Sequence, residues 1–145
     1  MQTNQNELWC TIVISTASKD ISPEVLESLF PEVRRYRAAD NITGISVYSN
    51  GNALMLFEGA KEIVLQEYER TKKHNTHHSL IKLYNGSIPC RFFEGQPLAF
   101  KVLSPGTFKY LDTFQSDEAK EYLDEFLNTN HPACTIVSNF IKNNT

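Results

Sequence analysis

The chain has 145 residues, 41% of them hydrophobic and 21% charged, and carries a net charge of −3. These values fit one compact domain that buries roughly 68–70% of its unfolded surface without staples, and they exclude both a disordered chain and the basic face that nucleic acid requires. Three cysteines, Cys10, Cys90 and Cys134, without C-x-x-C spacing indicate neither a disulfide framework nor a zinc ribbon.

The opening "MQTNQNELW" has no basic-then-apolar pattern, and no run reaches the roughly 18 apolar residues that span a bilayer. A soluble, cytoplasmic protein with no membrane partner is expected. Residues 1–6 are polar and read as loose, and "LWCTIVIS" (8–15) is β-branched and apolar enough for a central strand. Ser22, Pro23 and Glu24 supply a cap, a first-turn proline and an acid for a helix whose apolar stripe is Val25, Leu26, Leu29, Phe30 and Val33. Pro31 within it removes a donor and is expected to bend or interrupt the helix, at a cost of about 3 kcal/mol.

The stretch "NITGISVYSNGNALMLFEGA" (41–60) reads as a hairpin turning at Asn50-Gly51, where positive φ suits a two-residue connection. A second helix is expected over 61–73, with Ile63, Val64, Tyr68, Gln66 and Arg70 divided between core and water. "SLIKLYNGSI" and "PLAFKVL" read as two further strands joined through "PCRFFEGQ". The order predicts an α+β, ferredoxin-like βαββαββ sheet with two helices on one face. Beyond residue 103 the character changes: Ser116 is expected to cap "DEAKEYLDEFL", and Pro132 to open "ACTIVSNFI". Residues 1–103 thus form the main domain, and 104–145 a helical extension packed on the same domain or against another subunit.

The strand order together with "NITG", the turn, "LFEG", "HHS" and "CRFFEG" resembles the BLUF family of flavin-based blue-light sensors, over roughly Leu8 to Phe100, with the last two helices similar to the tail of short single-domain members. The resemblance implies a flavin, FAD or FMN, held between the two sheet-packed helices, and a light-driven rearrangement of hydrogen bonds around its ring. It also implies a tyrosine two residues before a serine on the first strand. Here Ser15 is kept and Val13 stands at the tyrosine position. Trp9 faces the same side but lies about 13 Å along the strand. The bridging glutamine, three residues before Glu-Gly, is replaced by Met55, whose thioether is at best a weak acceptor.

The family's asparagines near the end of the first helix fall at Tyr36 and Arg37, both large enough to fill the slot. Of an Asp-x-Arg-His motif, "HNTH" keeps only His77, and the tryptophan and methionine of the last strand become Gln96 and Leu98. Ser15, Ile42-Thr43-Gly44, Glu58, Gly59, His77, Arg91 and Phe93 match. Turn and core lettering is retained, while cofactor lettering is not.

Plainer roles stand beside these. Val13 and Met55 read as core side chains contributing roughly 1.5–3 kcal/mol each. Tyr36 and Arg37 are either plugs of the slot or exposed helix-end residues. His74, His77 and His78 share spacing suited to a metal, but with no further ligand except distant His131 a solvated helix end is expected and no metal. Cys10 and Cys90 read as buried thiols on neighbouring strands. The loop "STASKD" lacks the glycine that an acylphosphate hydrolase of this fold class needs, and no catalytic set is expected. The expected function is a BLUF-fold interaction or assembly module without flavin, self-associating, with the C-terminal helices as a candidate surface, and engaging a protein partner. The alternative is a photoreceptor that holds FAD or FMN in a rebuilt pocket, with Tyr36 or Trp9 as donor and Arg37 on the flavin's polar edge.

Overall fold

The computed structural model describes residues 7–18, 21–106, 108–115 and 118–144; residues 1–6 and the Ser116 cap lie outside them. In chain order the elements are β1 (Leu8–Ala17), α1 (Pro23–Ala39), β2 (Thr43–Ser49), β3 (Asn52–Ala60), α2 (Lys61–Lys72), β4 (His77–Ser87), β5 (Ala99–Ser104), a 3-10 helix (Lys109–Phe114), α3 (Ala119–Leu127) and α4 (Pro132–Asn143). The five strands lie in the order β4-β1-β3-β2-β5. All pairings are antiparallel except β2 with β5. This is the ferredoxin-like α+β arrangement, two βαβ units split by an inserted strand.

Local chemistry explains the elements. The Ser22 side chain accepts from the Val25 N–H at 3.3 Å and starts α1. Asn50 and Gly51 take φ of 46° and 93°, closing the β2–β3 hairpin. Gly44 is required because a Cβ there would collide with the backbone carbonyl of Leu56. The expected interruption at Pro31 does not occur, and α1 runs through it. Phe30, just before it, packs edge-on against Phe100 and Phe114 at centroid distances of 5.1 and 4.9 Å, which offsets the lost backbone bond. Val25, assigned to the buried stripe, is exposed, because it lies a 100° step around the helix from buried Leu26.

Strand alternation divides the core into two layers. Cys10, Ile12, Ile45, Val47, Leu54 and Leu56 face α3 and α4, packing with Leu123, Phe126 and Val137. On the other face, Val13, Met55 and Phe57 meet Ile42 and Val64, while Leu26, Tyr48, Phe100 and Leu111 fill the end nearer the 3-10 helix. Cys10 is buried as expected, but Cys90 is exposed, because it lies in the loop after β4 rather than on a strand. Gln96 and Leu98 likewise precede β5 instead of lying on it. The α4 helix starts at Pro132 with the His131 Nδ1 accepting from the Ala133 N–H at 3.0 Å, so this ring serves as a helix cap. No helix among the described residues is long and apolar enough to cross a membrane.

Candidate functional site

Between α1 and α2, above the sheet, lies a cavity of about 310 Å³ whose walls include Tyr36, Arg37, Met55, His77 and Leu98. Five of the eight positions singled out from sequence therefore meet in one slot. Val13 lies behind it: Val13 and Met55 are direct Cα partners in the β1–β3 ladder and belong to one buried cluster. Neither side chain carries a hydrogen-bond donor. Ser15 follows on the same strand face, 5% exposed, and its Oγ has no hydrogen-bond partner.

Tyr36 and Arg37 line the slot without filling it, contrary to the steric expectation. The Arg37 Nε donates to Glu67 Oε2 at 2.8 Å, with both side chains nearly inaccessible. The Tyr36 hydroxyl donates to the same oxygen at 3.3 Å, and Arg70 donates to Glu67 Oε1 at 3.2 Å. Arg70 also pairs with Asp40 at 3.7 Å and lies 4.1 Å from the Tyr36 ring centroid. Burial first, then the Glu67 charge, raises the Tyr36 pKa. Attraction to one buried carboxylate draws both large side chains aside. Arg37 is buried rather than an exposed helix end.

Two arginines also hold the segment before β5. Arg34 donates through Nε and Nη2 to the Leu98 carbonyl, both at 3.2 Å, and Arg37 Nη1 to the Pro97 carbonyl at 3.4 Å. Gln96 is not part of the slot. Its amide donates to Glu118 Oε2 at 2.7 Å, and its carbonyl accepts from the Gly44 N–H at 2.9 Å. Trp9 lies near the far end of β1, its indole N–H bonded to Asn85 at 2.8 Å and its ring beneath Lys61, so it supplies no donor to the slot.

His77 opens β4 opposite Ala17. Burial, then the neighbouring His74 and His78, lowers its pKa to about 4, so the ring is neutral at physiological pH. Its Nδ1 is buried with no hydrogen-bond partner. His74 and His78 instead bond to Thr76 and Ser79 at 3.1 and 2.9 Å. Among the described residues, no three His, Cys, Asp or Glu side chains are grouped to hold a metal ion.

Sequence reasoning missed Glu67, Asp40 and Arg34. The signal for Glu67 was present: Val64, Glu67 and Thr71 are all buried at positions i, i+3 and i+7 of α2, one helical stripe. A second buried carboxylate, Glu58, gives the "LFEG" and "CRFF" lettering a structural meaning. It accepts from Thr43 Oγ1 at 2.7 Å and from the Phe92 and Phe93 N–H groups at 2.9 and 2.8 Å, tying the loop after β4 to the sheet. Burial raises its pKa, and these bonds with Arg91 oppose the rise.

The family model for sensors of blue light using FAD matches residues 8–99. No curated protein matches the chain. Among solved structures, BlrP1 of Klebsiella pneumoniae, in a manganese and cyclic-diGMP complex, is 22% identical with a TM-score of 0.70, covering 93% of this chain and 33% of its own. The BLUF protein BlrB in its dark state is 15% identical with a TM-score of 0.66, covering 91% and 92%. BlsA in its photo-activated state is 16% identical with a TM-score of 0.65, covering 86% and 97%. The chain thus spans about a third of the length of BlrP1 and nearly all of the other two.

Proposed function

The chain belongs to the BLUF family, and from that premise we propose that it is a non-enzymatic signalling and interaction module that has lost the family's flavin photochemistry. The observation that carries this reading is the Val13–Met55 pair, buried side by side where the resemblance calls for a tyrosine and a glutamine. An aliphatic and a thioether side chain neither donate a proton nor exchange hydrogen bonds. The large polar side chains of α1 are already engaged: Arg37 with Glu67 and Pro97, Tyr36 with Glu67, Arg34 with Leu98. These residues do not fit the polar edge of an isoalloxazine ring. The absorption spectrum of the purified chain, alone and after addition of FAD, FMN or riboflavin, tests the reading. A colourless protein with a flat light-minus-dark difference spectrum is expected, and a bound flavin with a light-driven spectral change overturns it.

A second reading, a photoreceptor with FAD or FMN in a rebuilt pocket, draws on the open slot and on Tyr36 in its wall. The same spectra decide between them.

The module is further proposed to act in the cytoplasm, by self-association and through a protein partner. Support comes from β4, a sheet-edge strand of 11 residues whose Ile81 and Leu83 are 56% and 40% exposed. An unpaired strand edge flanked by apolar side chains is a template for a second copy. Light scattering of the purified chain is expected to give a dimer or larger assembly, and a strict monomer would count against it.

A further inference from the structure

The slot between α1 and α2 remains open although its arginines and Tyr36 are engaged, and what it now suits follows from its walls. Its cations are matched within the protein: Arg37 and Arg70 both contact Glu67, and Arg70 also pairs with Asp40. The side walls include Phe30, Phe100 and Tyr36, with Leu29 and Met55 between them. A volume of about 310 Å³ falls at the small end of ligand pockets, roughly 300–1,000 Å³.

One wall atom has no partner. His77 Nδ1 is buried and unbonded, and the only other such side-chain atom among the described residues is Ser15 Oγ, on the strand face that continues to Ala17, the slot-lining partner of His77. Buried polar atoms are satisfied in the great majority of native structures, and leaving one unsatisfied is destabilising. The backbone beside it is strained as well. Ser79, at a shift in the β1–β4 register, adopts φ of 59°, a conformation unfavourable for a residue with a Cβ. Bulges of this kind re-aim side chains, and strain of this kind gathers at ligand sites.

Resting on the reading above, we propose that this slot binds a compact, neutral aromatic molecule carrying a hydroxyl group, its ring among the apolar and aromatic side chains of the wall and its hydroxyl on His77 Nδ1. Neutrality follows from the charges in the wall: both arginines are paired within the protein, and the one further charged group, Glu32, is exposed to water on α1, so a charged guest would be desolvated without a buried counter-charge. The aromatic body follows from the aromatic walls. A hydroxyl both donates and accepts, so it satisfies either tautomer of a neutral imidazole.

The test uses 2-naphthol as probe and naphthalene as its counterpart without the hydroxyl, titrated into the full chain and into His77→Phe, with histidine ring nitrogens followed by NMR in the unaltered protein. Saturable binding of 2-naphthol is expected, about 5–10-fold tighter than naphthalene, the effect of one hydrogen bond. The His77 ring-nitrogen resonance should shift on binding, and His77→Phe should bind both probes equally. Absence of 2-naphthol binding, or equal binding of both probes with the His77 resonance unmoved, overturns the inference while a colourless protein leaves the loss of photochemistry standing. Bound FAD or FMN with a light-driven spectral change removes both.

Discussion

Arg37 and Glu67, 30 residues apart on two different helices, form a 2.8 Å ion pair with side chains 6% and 1% exposed. The pair joins α1 to α2 across the top of the slot, and Tyr36 and Arg70 converge on the same carboxylate. Burying two charges is costly, so the pair is weak evidence for added stability, but removing one partner strands the other. Glu67→Met or Arg37→Met alone is expected to lower unfolding stability by about 3–5 kcal/mol. The double change Arg37→Met, Glu67→Met should recover much of that loss. Chemical denaturation of the three variants measures it, and additive losses would contradict the account.

Met55 packs on Val13 in an apolar cluster, and its other ladder neighbour is Ser46. Met55→Gln gives up that apolar packing for an amide with at most a serine hydroxyl beside it and is expected to cost about 1–3 kcal/mol. Val13→Thr should cost a comparable amount, since its hydroxyl meets the same dry surroundings. Denaturant midpoints check both, and an unchanged or raised midpoint for Met55→Gln would mean that a partner group reaches the site.

The His77 ring titrates at about 4 in the folded chain against an ordinary value near 6.5. The unfolded chain therefore binds more protons between these two values. The His77 contribution to stability is intact above about pH 6.5 and is lost progressively as pH falls towards 4. His77→Phe should flatten this part of the stability profile. Denaturation at pH 7, 6 and 5 in both proteins measures the difference, and parallel profiles would refute it.

Gly44 sits where a side chain would collide with the Leu56 carbonyl in the neighbouring strand. The obstacle is backbone and cannot rotate away. Gly44→Ala is expected to destabilise by at least about 1–3 kcal/mol, as overpacking does. Thermal unfolding checks it against Gly51→Ala, where the space is open and only the positive φ of 93° is unfavourable.

Arg34→Met removes two hydrogen bonds to the Leu98 carbonyl while keeping much of the aliphatic stem. Amide exchange across residues 96–99 should accelerate, with the hairpin amides of 45–56 unaffected. Unchanged exchange there would show that Arg37 and the Gly44–Gln96 bond suffice to hold the segment.

The strand order and both sheet-packed helices were legible in the sequence because alternation, Ser22-Pro23 and Asn50-Gly51 are local signals that tertiary packing here reinforces. The slot was suggested by the family resemblance alone: of the eight positions it pointed to, Tyr36, Arg37, Met55, His77 and Leu98 line one cavity, while Val13, Ser15 and Gln96 do not. What stayed hidden depends on partners far apart in the chain. The volume of Arg37 pointed to a filled slot, but a charge on another helix decided where its guanidinium went. Cys90 and Val25 were misplaced for a simpler reason. Apolar character says that a residue tolerates burial, while a loop or the wrong side of a helix leaves it in water.

Three consecutive residues just before β5 are anchored to different parts of the molecule. Pro97 and Leu98 hang from the arginines of α1, whereas Gln96 is fastened to Glu118 beside α3, on the opposite side of the sheet. The peptide between Gln96 and Pro97 therefore joins the two layers, and the Gly44 N–H of β2 holds it to the sheet as well. One short connection thus fixes the spacing of α1, the sheet and the start of α3 at once.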